Sequence, residues 1–420
     1  MGMTEDLVVT YRPAVAEDEA ELRALLHRTP LPGPIRLSMR KEPDFFSAMA
    51  VEGERTDVLL AQDDADGRIV GVGARSEKPC FINGAKAPVT VGYLSNLRIE
   101  APYRGGKILK AGYQQMERMH REGKAGIYTT TILEGNIPAI KALTSGRPGL
   151  PLYRDFGPYH SFMLSARALP VKADGPIETF DAAPDDIDEL VRFWHVEGRR
   201  RQFFPAYRAE HLAGGSDPSS PSSCGAATLA AATPVQGAPL RSGSSTAAVS
   251  SSPPSCGAGL LSGLRIADIA VARDCRGVAG TAALWDQTAF RQWFVEGYSG
   301  ALGIVRPAFN LVARMLRRPT LPRPQSAFAY RFLALVCVRD DRPDVLRALL
   351  AHLGRRCRGE RFSGLVVAGC AGGDPLRPVL AAMPHVLMKS RIYVVHWDDG
   401  LSAYDALDKR LVPYLEVGSL

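Results

Sequence analysis

The stretch from Val91 to Gly123, VGYLSNLRIEAPYRGGKILKAGYQQMERMHREG, limits the possible folds of this chain more than any other. Its first part, Val91 to Ile99, is rich in branched and apolar residues and reads as a strand. A Pro and Gly turn follows. Gly106 to Arg121 then places apolar residues at helical spacing and stops at Gly123, a good C-terminal cap. The next segment, Ile127 to Ile132, is again β-branched and reads as a strand. A helix start presents unpaired N–H groups and the positive end of a dipole, which together attract phosphate. Gly105 and Gly106 leave room for such a group, and Arg104 and Lys107 can add charge-assisted bonds. Taken alone, the same residues also suit a solvated strand-to-helix turn.

Around this stretch the first half alternates strands and helices. Leu7 to Tyr11 reads as a strand and Glu17 to Arg28 as a helix. Asp57 to Ala61 and Ile69 to Arg75 form a hairpin across an Asp- and Gly-rich turn. Asn136 to Leu143 is a short helix, and Tyr159 to Leu164 closes the series. A boundary falls near Ala168 to Pro176. Beyond it the order repeats: a strand at Ile177 to Phe180, a helix at Asp185 to Val196, strands at Leu264 to Ala272 and Phe332 to Val338, a helix at Pro343 to Arg356, and a strand at Leu365 to Ala368. Asp374 to Ala382 reads as a helix and Arg391 to His396 as a last strand. The repeated order, with Phe45-Phe46 echoed by Phe203-Phe204, points to an internal duplication. Ala283 to Trp293 is expected to be a helix with an aromatic face. The segment 214–263, dominated by Ser, Ala, Pro and Gly, has too little apolar or charged character to offset its ordering entropy and reads as a disordered insertion.

At 420 residues and 46% hydrophobic, the chain can bury more than one core. A formal net charge of +7 fits an anionic ligand or a plain basic surface. The seven cysteines never stand in CxxC spacing, so neither a zinc site nor a disulfide framework is expected. No basic-then-apolar leader opens the sequence, and no long apolar run marks a membrane span, which sets a cytoplasmic expectation. Gly198 to Arg208, GRRRQFFPAYR, mixes cations and aromatics, but one short cluster is thin support for nucleic acid. It suits the rim of an acceptor cleft as well. The run VRPAFNLVARMLRRPTLPRPQ reads as an amphipathic helix with a basic end, better matched to a partner surface or a packed insertion than to a membrane.

LSNLRIEAPYRGG, then GIYTTTIL, then EGNIPAIKAL, taken in this order, resemble the GNAT superfamily of N-acetyltransferases. That family's acyl-CoA signature, V-x-P-x-Y-R-G-x-G-x-G/A, falls on Ile99 to Leu109. Its later signature, N-x-x-A-I-x-L-Y, falls on Asn136, Ala139, Ile140, Ala142 and Leu143. The resemblance covers residues 5 to 166. Lys107 and Leu109 stand where the family has glycines, Pro102 is one place late, and Leu143 replaces the tyrosine that protonates the leaving thiolate. The resemblance implies an α/β (α+β) fold of two GNAT-like domains, 1–168 and a degenerate 176–420. Each would have a mixed, mostly antiparallel central sheet flanked by helices. In the first, the strands Val91 to Ile99 and Ile127 to Ile132 would be parallel and splayed, with a pantetheine arm between them. In the second, VCVRDDRPDVL has no glycine, and Asp340 and Asp341 would repel phosphate, so no CoA is expected there.

The cofactor-binding residues so implied are Leu97, Arg98, Ile99, Arg104, Gly105, Gly106, Lys107, Ile108, Leu109 and Asn136. Asn136 faces the CoA or simply caps a helix. Acetyl transfer to an amine needs a base for the amine, donors for the oxyanion and an acid for the thiolate. Glu100 is the nearest carboxylate and is also a natural solvated loop charge. Tyr153 and Tyr159 are candidate acids and also natural packing residues. His120 is expected to be exposed. The resulting expectation is an acyl-CoA-dependent N-acyltransferase, with acetyl-CoA or another acyl-CoA as co-substrate, no metal, and a small-molecule or peptide amine as acceptor. The alternative is a catalytically inactive CoA-binding or regulatory module.

Overall fold

The computed structural model describes residues 8–420 apart from 32, 173–174, 214–258 and 317. Most of the strands join one 13-stranded mixed sheet. From one edge inward its strands are Val9–Pro13, Arg55–Asp63, Ile69–Phe81, Val89–Ile99, Tyr128–Leu133 and His385–His396. It continues through Leu152–Ser165, Leu365–Ala371, Tyr330–Val338, Gly277–Trp285, Ile269–Asp274 and Glu178–Asp181. Phe204–Pro205 pairs beside Ile69–Phe81. A small second sheet joins Ile35–Arg40, Gln292–Tyr298 and Ser326–Ala327.

The strand order is the same counted inward from either edge. In both halves, too, a parallel pair flanks the centre: Val89–Ile99 with Tyr128–Leu133, and Tyr330–Val338 with Leu365–Ala371. The two central strands are exchanged. Leu152–Ser165, from the first half, pairs with Leu365–Ala371, and His385–His396, from the second, pairs with Tyr128–Leu133. The segments 1–168 and 176–420 therefore each lend a strand to the other, and one hydrogen-bonded ladder crosses the boundary between them.

The helix Gly106–Arg121 lies where the sequence places it, as does the helix Pro343–Gly359. The segment Ala283 to Trp293 differs. It contains the end of the strand Gly277–Trp285, a turn, and the start of Gln292–Tyr298. Gly277–Trp285 is buried along nearly its whole length, and its small Ala and Gly residues admit close packing of the helix Pro343–Gly359. Sheet pairing on both sides outweighs the helical preference of Ala and Leu. Of the expected insertion, 214–258 lie outside the described residues. Its end is ordered, with Leu260 and Leu261 buried in the core of the second half.

His120 is buried, contrary to expectation. Its Nδ1 lies 2.9 Å from the Tyr128 hydroxyl, its Nε2 lies 2.9 Å from Asp399, and its ring stacks on Trp397. Trp397 and Asp399 arrive just after the exchanged strand His385–His396, and Tyr128 stands on the neighbouring strand Tyr128–Leu133, none of which a helix-end position reveals. The Gly198 to Arg208 cluster is largely packed inward, away from the first-half cavity. Phe203, Phe204 and Tyr207 are core residues, and Arg200 and Arg201 pair with Asp340 and Asp341.

Candidate active site

The parallel strands Val89–Ile99 and Tyr128–Leu133 pair only at Gly92 with Tyr128 and Tyr93 with Thr129. Gly92 is required at this crossing, because a Cβ there would overlap the Tyr128 ring. Beyond it the strands part. Thr130 Oγ1 still donates to the Leu94 carbonyl at 2.8 Å, and then a cavity of about 300 Å³ opens.

A bulge shapes one wall. Between Ser95 and Arg98, two residues, Asn96 and Leu97, stand opposite Gly73 alone, and Asn96 has a φ of 55°. A bulge of this kind turns side chains away from the regular alternation and interrupts the ladder. Here it leaves the backbone from Ser95 to Leu97 along a parted edge.

The helix Gly106–Arg121 forms the other wall. It presents Ile108, Leu109, Gly112, Tyr113 and Met116 to the cavity, one face at helical spacing. Tyr11 holds its start, donating to the Ile108 carbonyl at 2.6 Å. No side chain caps this helix, and a Cβ on Gly105 would meet open space. The first N–H groups have no intrahelical acceptor. Arg104 and Lys107 are exposed beside them, Arg104 Nε donating to the Ile99 carbonyl at 3.0 Å.

Leu97, Arg98, Ile99, Ile108, Leu109 and Asn136 all line the cavity. Arg104, Gly105 and Lys107 sit at the adjoining helix start, outside the lining. Asn136 combines both of its readings, since its side chain accepts from the Ala139 N–H while the residue lines the cavity.

The three expected catalytic groups separate. Glu100 is held outside the cavity by Arg28 and Arg68, at 2.9 and 2.7 Å. Tyr159 is buried elsewhere and donates to the Leu415 carbonyl at 3.0 Å. Tyr153 lines the cavity, its hydroxyl 2.5 Å from that of Tyr113. Burial pushes the Tyr113 phenol up to about 12 and raises Tyr153 well above the usual tyrosine range. Both phenols are therefore protonated near neutrality and able to donate.

At the opposite end lies a group that sequence reading misses. Glu52, on the loop after the short helix Phe45–Met49, lines the cavity and is almost fully buried. Its carboxylate accepts from Ser95 Oγ at 2.5 Å, Asn96 Nδ2 at 3.3 Å and Lys41 Nζ at 3.2 Å, and lies 3.6 Å from Arg291 Nη2. Burial alone would push this carboxyl up. Lys41, Arg291 and the two hydrogen bonds outweigh it and hold Glu52 below the usual glutamate value. Lys41 is buried behind it, and burial pushes its ammonium down to about 8. With its oxygens so occupied, Glu52 is a hub that fixes the bulge and orients Arg291. Arg98 and Arg291 are the cations on the lining.

Nothing in the residues around Glu52 announces this role, since its partners come from three separated segments. Tyr113 was open to discovery, because it shares a helical face with Ile108, Leu109 and Met116.

No model of a known protein family matches the chain, and no curated protein matches it. Solved structures do. The chain is similar to a GCN5-related glucosamine N-acetyltransferase region found in a fungal multi-domain GH3 β-N-acetylglucosaminidase, at 12% identity and a TM-score of 0.55. That match covers 93% of this chain and 38% of the other, so the chain spans well under half of that multi-domain protein. It is also similar to Saccharomyces cerevisiae N-myristoyltransferase with bound myristoyl-CoA, at 7% identity and a TM-score of 0.52, covering 94% of this chain and 81% of that one. A second structure of that enzyme, with myristoyl-CoA and inhibitors, matches at 8% identity and the same TM-score, over 96% and 85% of the two chains. The fold is GNAT-like.

Proposed function

On a GNAT-like fold with an open cleft in its first half, we propose that this chain is an acyl-CoA-dependent N-acyltransferase acting on a primary amine. The observation that carries the reading is the cavity between the parted parallel strands, which adjoins an uncapped helix start at one end and the Glu52 cluster at the other. The backbone N–H groups from Gly105 to Ile108, with Arg104 and Lys107, hold the pyrophosphate in this reading. The pantetheine lies along the parted edge, and the thioester carbonyl faces the amides of the bulge around Leu97. Acetyl-CoA is the first donor to test, and the resemblance to an enzyme solved with myristoyl-CoA makes longer acyl groups the next.

The acceptor enters on the Glu52 side. Arg98 and Arg291 there, with Lys41 behind, disfavour an ammonium and so favour the neutral amine that attacks. This suits a site without a dedicated base, because the Glu52 oxygens are already engaged. Tyr153, through its contact with Tyr113, is the candidate acid for the leaving thiolate. The acceptor class is a small-molecule or peptide amine.

A second reading rests on Leu143. It lines the cavity where the resemblance expects a phenol, so the cleft could bind CoA without turning it over. Calorimetric titration with acetyl-CoA, followed by thiol release with a pool of amines, separates the two. Heat of binding with thiol release supports the transferase. Binding without release from any donor chain length supports the non-catalytic module, and no binding of any acyl-CoA overturns both.

A further inference from the structure

The helix Leu302–Met315 is turned the wrong way for a helix packed on a globular core. Ile304, Phe309, Leu311, Val312, Met315 and Leu316 are all exposed, Ile304 at 83% and Met315 at 77%. At 100° per residue these positions fall on one continuous face. The opposite face is the one packed inward, and it is polar. Asn310 exchanges two hydrogen bonds with the Leu321 backbone, at 2.8 and 2.7 Å. Arg306 reaches the carbonyls of Leu321 and Pro322, and Ala313 is buried beside them. A helix of this pattern ordinarily buries its apolar stripe and leaves its polar stripe in water. Here the polypeptide fastens the polar stripe, so the apolar side chains are held outward by specific bonds.

The sequence of the helix and the segment after it carries charge of one sign. From residue 299 to 325 there is no Asp or Glu, while Arg306, Arg314, Arg317, Arg318 and Arg323 fall within the span. A second copy of the chain would bring two such cationic segments together. An anionic lipid surface instead satisfies both features, taking the apolar side chains below its headgroups and pairing the arginines with phosphates and carboxylates. Among the described residues no helix is long and apolar enough to cross a membrane, so attachment would be along the surface.

We propose that the helix Leu302–Met315, with the exposed Arg314, Arg318 and Arg323, docks this protein flat on an anionic phospholipid bilayer. The helix follows the strand Gln292–Tyr298, whose sheet partner Ile35–Arg40 carries Met39 on the cavity lining. The inference does not depend on the acyltransferase reading.

The test is co-sedimentation of the full chain with vesicles of phosphatidylcholine alone and of phosphatidylcholine mixed with phosphatidylserine. Three forms are compared: the unaltered protein, an I304S/F309S/M315S variant, and an R314E/R318E variant. Binding is expected to the mixed vesicles only, to weaken as salt is raised, and to fall by about tenfold or more in each variant. All five positions are exposed, so thermal melting should be unchanged and loss of binding cannot be assigned to unfolding. Equal binding to both vesicle types overturns the charge argument. Absence of binding to either, whether the protein stays monomeric or self-associates through the same face in sedimentation velocity, overturns the proposal.

Discussion

The two halves of the sheet build the same crevice and treat it in opposite ways. Each has a parallel pair of strands, and each carries a bulge on the strand before the long helix. Asn96, at a φ of 55°, corresponds to Leu335, at 52°. In the first half the strands pair at two positions and part around about 300 Å³. In the second they pair at four, from Tyr330 with Leu365 to Leu333 with Ala368, and the remaining space is about 20 Å³, close to one water. Leu333, Val336, Leu346 and the segment Pro413 to Leu415 fill the rest. The amide of Leu335 already donates to the Glu416 carboxylate at 2.9 Å. The backbone geometry is thus common to both halves. What makes one of them a candidate site is that, among the described residues, no segment fills it as Pro413 to Leu415 fills the other.

The buried carboxylates sharpen the contrast. Glu52 has cations around it and is held below its ordinary value, whereas burial pushes Glu416 above its own, against hydrogen bonds from Tyr414, Leu335 and Gly418. The largest effect is therefore expected from Glu52→Ala, which leaves Lys41 and Arg291 buried without their acid and should cost about 3–5 kcal/mol in urea unfolding. Glu416→Gln, which keeps a hydrogen-bonding group of the same size, should cost much less. Equal losses would erase the distinction between the halves.

Next in size is Tyr153→Phe, expected to lower kcat about 100-fold with KM little changed, if this phenol protonates the thiolate. Tyr159→Phe, outside the cavity, should leave kcat intact and only weaken stability by about 1 kcal/mol. Arg104→Ala and Lys107→Ala should each weaken acyl-CoA affinity by about tenfold in calorimetry. Asp340→Ala and Asp341→Ala, at the matching loop of the second half, should not change it.

The smallest effects are in the pH dependence of unfolding. The Glu52 pKa is depressed, so its contribution is present above the unfolded glutamate value and is lost as pH falls through the folded one. The Glu416 pKa is raised, so its contribution is present below the unfolded value and is lost as pH rises through the folded one. Lys41, brought down to about 8 by burial, holds its proton less tightly than in the unfolded chain, so stability should rise between about pH 8 and about pH 10. Lys41→Met should remove that rise. Denaturant titrations across pH that show no difference from the unaltered protein would dissociate Lys41 from the Glu52 cluster.

Local patterning made the site's frame legible. The strand, the glycine turn and the helix Gly106–Arg121 were readable because a period of two changed to one of 3.6 across a Pro-Tyr-Arg-Gly-Gly turn, and the lining residues from Leu97 to Leu109 follow from that frame. Glu100 and Tyr159 were equally plausible in sequence. Only their neighbours separate them from Tyr153: two arginines beyond the cavity for Glu100, and the Leu415 carbonyl for Tyr159. Gly277–Trp285 was misread for a related reason, since small apolar residues serve a helix or a doubly covered strand, and the pairing partners decide.

By itself the sequence determined the order of strands and helices from Val91 to Leu133, the cationic helix start and the absence of a second glycine turn, because each depends on residues a few positions apart. The tertiary structure alone decided the exchange of the two central strands, the burial of His120, the Glu52 cluster and the filling of one crevice by the segment from Pro413 to Glu416. Those features join residues tens to hundreds of positions apart, and their free energies exist only once the sheet has closed around them.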